Sequence, residues 1–378
     1  MDDRTAPLPE GTDDSGATGR PAPVPGVADP AATDTPRGIH ADSVSAWFAQ
    51  NIPRAAPPLT FERVEGGRSN LTFVVTDRTG ERYVLRRPPT SHRLPTAHDM
   101  GREFRIISAM GPAGVPVPPA LGLCTDESIN DAPFYVMGFV DGVITRSEED
   151  AELLDETTRR RAGIALVDTL AQIHSVDPDA VGLGDLGRRE GYIARQLRRW
   201  YDNYRAANQS RGGTSLADVD EVHDFLEGRI PEQGPATIVH GDFRLDNCIL
   251  SPDGSVIAVL DWELCTLGDP LADLGQLLVY WPEPGERSAL GHSPTRVPGF
   301  PTREEVTVRY ADTSGRDLSG LEFYVAFAYW KVACILEGVY ARYLAGAMGD
   351  DGFDVGSYPS SIEWLAAEAR SAASRLEG

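Results

Sequence analysis

The stretch from Ile238 to Asp261 restricts the fold more than any other. Apolar Ile238 and Val239 lead into His240-Gly241-Asp242-Phe243-Arg244-Leu245-Asp246-Asn247, and apolar Cys248-Ile249-Leu250 come next. Ser251-Pro252-Asp253-Gly254 reads as a turn, and Val256–Leu260 reads as a strand that delivers Asp261 at its end. Short apolar runs around a polar core predict a tight loop pinned between two short strands. The hairpin then returns Asp261, fourteen residues after Asn247, to the side of that loop.

Two carboxylates and an amide gathered this way suit phosphoryl transfer. That reaction needs little covalent help from a protein. It needs a carboxylate to orient the attacking hydroxyl and accept its proton, oxygen ligands for Mg²⁺, and positive charge near the phosphates. Asp242 is the candidate base, and Asn247 and Asp261 are the candidate metal ligands. A lone loop aspartate is more often a turn or cap residue, and here the complete pattern carries the reading. His240 reads as a structural loop residue, Asp246 as a loop support, and Asp269, just before Pro270, as a helix cap. Glu263 could reach a metal through water. His174, late in an apolar helix, reads as a satisfied core residue.

The run His240-Gly241-Asp242-x4-Asn247, with strand-borne Asp261 after it, resembles the catalytic loop of the aminoglycoside-phosphotransferase and choline-kinase superfamily. Gly268-Asp269-Pro270-Leu271-Ala272-Asp273-Leu274 resembles the segment beyond the second aspartate in that superfamily. Tyr83-Val84-Leu85-Arg86-Arg87-Pro88-Pro89 and Asp261-Trp262-Glu263 are similar to the bacterial branch akin to the kinase-like domain fused to acyl-CoA dehydrogenases. The resemblance covers residues 40 to 375 in element order. It implies a two-lobed, protein-kinase-like α+β fold, with ATP and Mg²⁺ as cofactors and a small-molecule hydroxyl as acceptor.

The same resemblance assigns parts to the small lobe. Arg86 stands where protein kinases have a phosphate-contacting lysine, and Glu103 is its implied helix partner. The chain's single lysine, Lys331, lies far away in a C-terminal helix. Arginine keeps the charge, although its planar fork is not equivalent to an ammonium. Gly67, Ser69 and Asn70, in the loop 66–70, are implied to cover the phosphates through backbone N–H groups. Val84 is implied to pack on adenine, with Met137 and Phe139 forming the hinge. Arg244, two residues after Asp242, is implied to stabilise charge on the transferred phosphoryl group, although many antibiotic kinases lack a basic residue there.

The pattern along the chain agrees with two lobes. Residues 1–38, rich in Pro, Ala, Gly, Thr and Asp, predict a disordered tail. A helix over 42–50, capped by Asp42, precedes strands over 59–64, 71–76 and 82–87. A helix over 97–110 and strands over 120–124 and 134–138 complete a lobe spanning 39–139. Helices over 155–176, 191–206, 217–228, 270–281, 319–346 and 359–375 dominate 140–378. A small mixed sheet succeeded by many helices predicts α+β in two parts.

The formal charge of −22 disfavours nucleic acid and anionic membranes as partners. There is no run of about 18 apolar residues to span a bilayer. Four cysteines without a C-x-x-C pair predict reduced, buried thiols in a cytoplasmic protein. Arginines 188, 189, 195, 198, 199, 205 and 211 form a basic run, read either as a solvated helix face or as an anion-recognising rim beside the acceptor. Two rival readings stay open: a nucleotide-binding module without turnover, and a metal-dependent hydrolase built on His240, Asp242 and Asp261. The acceptor stays open among an aminoglycoside, an amino alcohol, a sugar and a hydroxyacyl thioester, because fold does not specify substrate.

Overall fold

Strict alternation in the first strands decides which side chains reach the site. In the computed structural model, which describes residues 35–64, 70–90, 99–213, 215–346 and 354–377, five strands form an antiparallel sheet in the order β1-β2-β3-β5-β4. They are β1 (Leu59–Arg63), β2 (Leu71–Asp77), β3 (Arg82–Arg87), β4 (Ala120–Cys124) and β5 (Phe134–Gly138). Phe73, Val75, Tyr83, Leu85, Phe134 and Val136 share one face and bury against Val44 and Phe48 of helix α1 (Ala41–Asn51). Because side chains alternate, Val84 and Arg86 must face the other way, into the cleft. Helix α2 (Met100–Met110) closes that side, with Asp99 accepting from Arg102 N at its N-cap. The expected Asp42 cap is corrected: α1 starts one residue earlier, with His40 at the cap position and Asp42 in the first turn.

The large lobe is helical. Between β5 and its first long helix lies α4 (Glu148–Glu152), while the short α3 (Glu127–Asn130) sits inside the small lobe, between β4 and β5. The long elements are α5 (Glu156–Ser175), α6 (Tyr192–Ser210) and α7 (Ala217–Glu227). The loop segment then contributes β6 (Thr237–Val239), β7 (Cys248–Leu250), β8 (Val256–Val259) and β9 (Thr266–Gly268). The two strands flanking the polar loop do not pair with each other; β6 pairs with β9 and β7 with β8, both antiparallel. Helices α8 (Pro270–Val279), α9 (Arg303–Ser314), α10 (Leu321–Leu344) and α11 (Tyr358–Ser374) finish the lobe.

Helix α10 has the length and composition to cross a membrane, which the absence of a long unbroken apolar run did not suggest. Here 61% of its most apolar stretch is buried inside the protein, as expected for a helix apolar on all sides. Gly275 of α8 allows α10 to approach: a Cβ there would lie 2.6 Å from the Tyr324 carbonyl oxygen. All four cysteines are buried and unpaired.

Candidate functional site

The polar loop is held from below by one buried carboxylate. Asp273, in the first turn of α8, accepts from the backbone N–H of His240 (2.6 Å) and of Gly241 (2.9 Å). His174 Nε2 lies 3.3 Å from the same carboxylate, and His174 Nδ1 lies 2.7 Å from Tyr310 Oη. Burial acts to raise the Asp273 pKa, but His174, His240 and the Gly241 N–H overcome it and hold it below the usual carboxylate value. Burial likewise pushes His174 down. Gly241 turns at φ +86, and a Cβ there would meet Leu264 at 2.9 Å, so the turn needs glycine. His240 lies against Phe243 and Trp262, and its Nε2 lies 2.9 Å from the Leu260 carbonyl oxygen.

This frame fixes the candidate catalytic groups. Asn247 Nδ2 donates to Asp242 O (2.8 Å) and to Asp242 Oδ2 (3.1 Å). Gln276 Nε2 donates to Asp242 Oδ1 at 3.2 Å. Arg244 pairs with Asp242 at 3.4 Å and with Asp246 at 2.6 Å, and its guanidinium sits 5.4 Å from the Tyr280 ring centroid. Burial acts to lower the Arg244 pKa, but Asp242 and Asp246 outweigh it and raise it, so the cation is fixed. Leu260 N donates to Asn247 O at 2.8 Å, which ties the hairpin to the loop. Asp261 then adopts a left-handed backbone, φ 63, a region that aspartate tolerates better than most residues.

The small lobe supplies a charged cluster. Arg86 Nε pairs with Glu103 at 3.1 Å, its Nη2 contacts Asp261 directly, and Glu263 lies 3.8 Å away. Tyr135 Oη donates to Glu103 at 3.1 Å. Burial drives the Glu103 carboxyl up to about 7; Arg86 opposes the rise, and Asp261 and Glu263 add to it. The Asn70 side chain makes contacts of its own on the cleft wall. Its amide is buried and donates to Glu103 Oε1 (3.0 Å) and Glu263 Oε2 (3.3 Å), because a buried amide must satisfy its N–H groups. Gly67 and Ser69 lie outside the described residues.

The donor set fits Mg²⁺. Asn247 directs its N–H groups to Asp242, so its Oδ1 is available, and Arg86 contacts only Oδ1 of Asp261. Among the described residues no cluster of three His, Cys, Asp or Glu side chains is suited to a metal. Magnesium needs few protein ligands when phosphate oxygens complete its shell.

These groups line the floor of a cleft of about 1830 Å³. Val84, Met137, Gly138 and Phe139 line it on the small-lobe side, with the Arg82 guanidinium 3.9 Å from the Phe139 ring centroid. Trp200, Asn203, Leu336, Val339, Arg287 and Arg342 line the large-lobe side. None of the arginines of the basic run is among the cleft-lining residues. Arg189 pairs with Asp179, Arg195 caps the carbonyls of Arg188 and Glu190, and Arg211 pairs with Glu337. The cleft-lining residues of α6 are Trp200, Asn203 and Ala206, and arginines 146, 244, 287, 296 and 342 line the cleft instead.

Three residues escaped the sequence reading as site components: Asp273, Gln276 and Lys331. Lys331 is buried beneath the polar loop, and its Nζ donates to Gly241 O (3.1 Å) and Gln276 Oε1 (2.5 Å). Its one sequence signal was position, since a lysine inside Phe327-Ala328-Tyr329-Trp330 and Val332-Ala333-Cys334 must bury its charge with partners.

Comparison with known proteins gives the family and the fold. The model of the phosphotransferase enzyme family matches residues 60–304. The chain is 40% identical over 296 residues to acyl-CoA dehydrogenase family member 10 of Mus musculus, covering 76% of this chain and 27% of that protein. It is 38% identical over 317 residues to family member 11 of Gallus gallus, covering 80% and 40%. The chain therefore spans less than half the length of these relatives. A candidate aminoglycoside phosphotransferase from Ralstonia eutropha superposes with a TM-score of 0.74 at 30% identity, over 88% of this chain and 98% of that one. Macrolide 2'-phosphotransferase MphH of Brachybacterium faecium shares the fold at a TM-score of 0.55 and 20% identity, over 86% and 97%. The chain belongs to the phosphotransferase enzyme family and has its two-lobed, kinase-like α+β fold.

Proposed function

We propose that the protein transfers the γ-phosphoryl group of ATP to a hydroxyl of a small molecule. Asp242 orients the hydroxyl and takes its proton as the new O–P bond forms and the bond to the ADP oxygen breaks. The observation that carries this reading is the double anchoring of Asp242 by Asn247 and Gln276 on the cleft floor, beside Arg244. Anchors on both carboxylate oxygens fix the direction from which a hydroxyl is met, and orientation is a large part of this catalysis. Mg²⁺, held by Asn247 and Asp261, would neutralise charge on the nucleotide phosphates. Arg244 supplies fixed positive charge beside the base, and Arg86 does so across the cleft, while Val84, Met137 and Phe139 offer the apolar seat for the base of the nucleotide.

For the acceptor, we infer an anionic, partly apolar compound such as a hydroxyacyl thioester of coenzyme A. Arg146, Arg287 and Arg342 line the cleft without a carboxylate partner among the described residues, next to apolar Leu336 and Val339. The acyl-CoA dehydrogenase names of the curated relatives point the same way.

ADP release from Mg·ATP, measured with a hydroxyacyl-CoA, the free hydroxy acid, choline and kanamycin, tests both statements. Turnover with the thioester and little with the cations is expected. Preference for kanamycin or choline would overturn the acceptor assignment. One observation favours the silent-module reading: Arg86 contacts the proposed metal ligand Asp261 directly. Tight Mg·ATP binding with no ADP from any acceptor would decide for that reading.

A further inference from the structure

The most buried cation near the cleft floor belongs to neither the nucleotide cluster nor the acceptor wing. Lys331 is the chain's only lysine, on α10, and is 4% exposed. Its two hydrogen-bond acceptors both belong to the loop machinery: the Gly241 carbonyl oxygen, one residue before Asp242, and Gln276 Oε1. Gln276 is 2% exposed and sits one turn beyond Asp273 on the same face of α8. Asp273 holds the loop backbone and Gln276 holds the Asp242 side chain.

A glutamine amide is ambiguous by itself, since one end accepts and the other donates. The ammonium of lysine removes the ambiguity because it can only donate. Facing Lys331, Gln276 must present its oxygen, so its NH₂ must turn to Asp242 Oδ1. With the amide reversed, two donors would face each other at Lys331 and two acceptors would face each other at Asp242.

We propose that Lys331 is a positioning residue that locks the Gln276 amide so that it donates to Asp242, which holds the base's Oδ1 and leaves its orientation toward the acceptor fixed. The assignment rests on the phosphotransferase reading of Asp242. Lys331 touches no reacting atom; it acts through Gln276 and the Gly241 carbonyl.

The test uses ADP release from Mg·ATP with the hydroxyacyl-CoA probe, alongside calorimetric Mg·ATP binding and thermal melting of each variant. Gln276→Glu keeps the shape and gives Lys331 an ion-pair partner, but replaces the donor at Asp242 with an acceptor. It is expected to retain or raise Tm, retain Mg·ATP affinity, and lose about 10- to 100-fold in kcat. Lys331→Met is expected to lower kcat about tenfold or more with KM for Mg·ATP within about twofold. In a Gln276→Met background, Lys331→Met is expected to add little further loss, because residues acting in series are not additive.

Full additivity of the two losses, or wild-type kcat in Gln276→Glu, would overturn the proposal. If the wild type releases no ADP with any acceptor, the phosphotransferase reading fails. The positioning assignment is then read from a crystal structure of Lys331→Met. Gln276 Nε2 displaced beyond hydrogen-bond reach of Asp242, roughly 3.5 Å, supports it, and an unmoved amide refutes it.

Discussion

The two sides of the cleft hold charge by different means. On the small-lobe side Arg86 faces Glu103, Asp261 and Glu263 at once, so one cation serves three carboxylates. On the large-lobe side Asp273 takes two backbone N–H groups and a histidine, and Gln276 and Lys331 complete each other. The first arrangement carries more negative than positive charge, so in the proposed function its partners would be exchanged when phosphates and a metal arrive. The second is fully matched and buried, where breaking any single link leaves an orphaned polar group. In the proposed function the first part would respond to a ligand and the second would keep Asp242 still.

Perturbing each side should break that contrast in different observables. The largest effect is expected at the base: Asp242→Ala lowers ADP release with a hydroxyl acceptor by about 10²–10⁴, while calorimetric Mg·ATP binding persists. Near-normal turnover in this variant would remove Asp242 from the mechanism. On the matched side, Asp273→Ala orphans two buried N–H groups at about 1–3 kcal/mol each, so urea unfolding is expected to show a loss of about 2–6 kcal/mol. A loss under about 1 kcal/mol, the floor for one orphaned group, would mean that the loop is held by something else.

On the exchangeable side, Arg86→Met is expected to weaken Mg·ATP binding by about tenfold, equivalent to about 1.4 kcal/mol, with a smaller effect on unfolding than Asp273→Ala. Unchanged affinity would show that Arg86 serves the lobe interface and not the nucleotide.

The smallest and sharpest contrast is in pH. Glu103 is raised to about 7 from its ordinary value of 4.5, so between these values the folded state holds a proton that the unfolded chain has released. Its contribution is therefore full below 4.5 and lost as pH rises through about 7. His174 is shifted the other way, below 6.5, so its contribution is present above 6.5 and lost as pH falls through its folded value. Melting temperatures of Glu103→Gln are expected to flatten on the alkaline side of this range, and those of His174→Gln on the acid side. Both variants flattening the same limb would contradict the opposed signs.

Much of this was legible in the sequence because it depends on local pattern. Strands β3, β4 and β5 fall where alternation put them, and Asp269 caps α8 with Pro270 behind it. Helix α9 has no clear helical period in the sequence, because its β-branched residues blur the pattern and only Val306 and Tyr310 are buried. Its Thr302–Glu305 capping box was the signal for it. The short α4 carries a similar box at Ser147 and Asp150.

By itself the sequence determined which polar groups meet in the loop, since loop length and hairpin geometry bring Asp242, Asn247 and Asp261 together within a short stretch of chain. Only the tertiary structure decided what holds those groups and what surrounds them. It left the arginines of α6 out of the cleft lining and brought arginines from other segments to it. It directed the Asn70 amide to Glu103 and Glu263, and set Lys331, ninety residues from Gly241, directly beneath the loop. The reason is physical: a buried polar group must find partners wherever packing brings them, and no spacing rule along the chain encodes a hydrogen bond between helices.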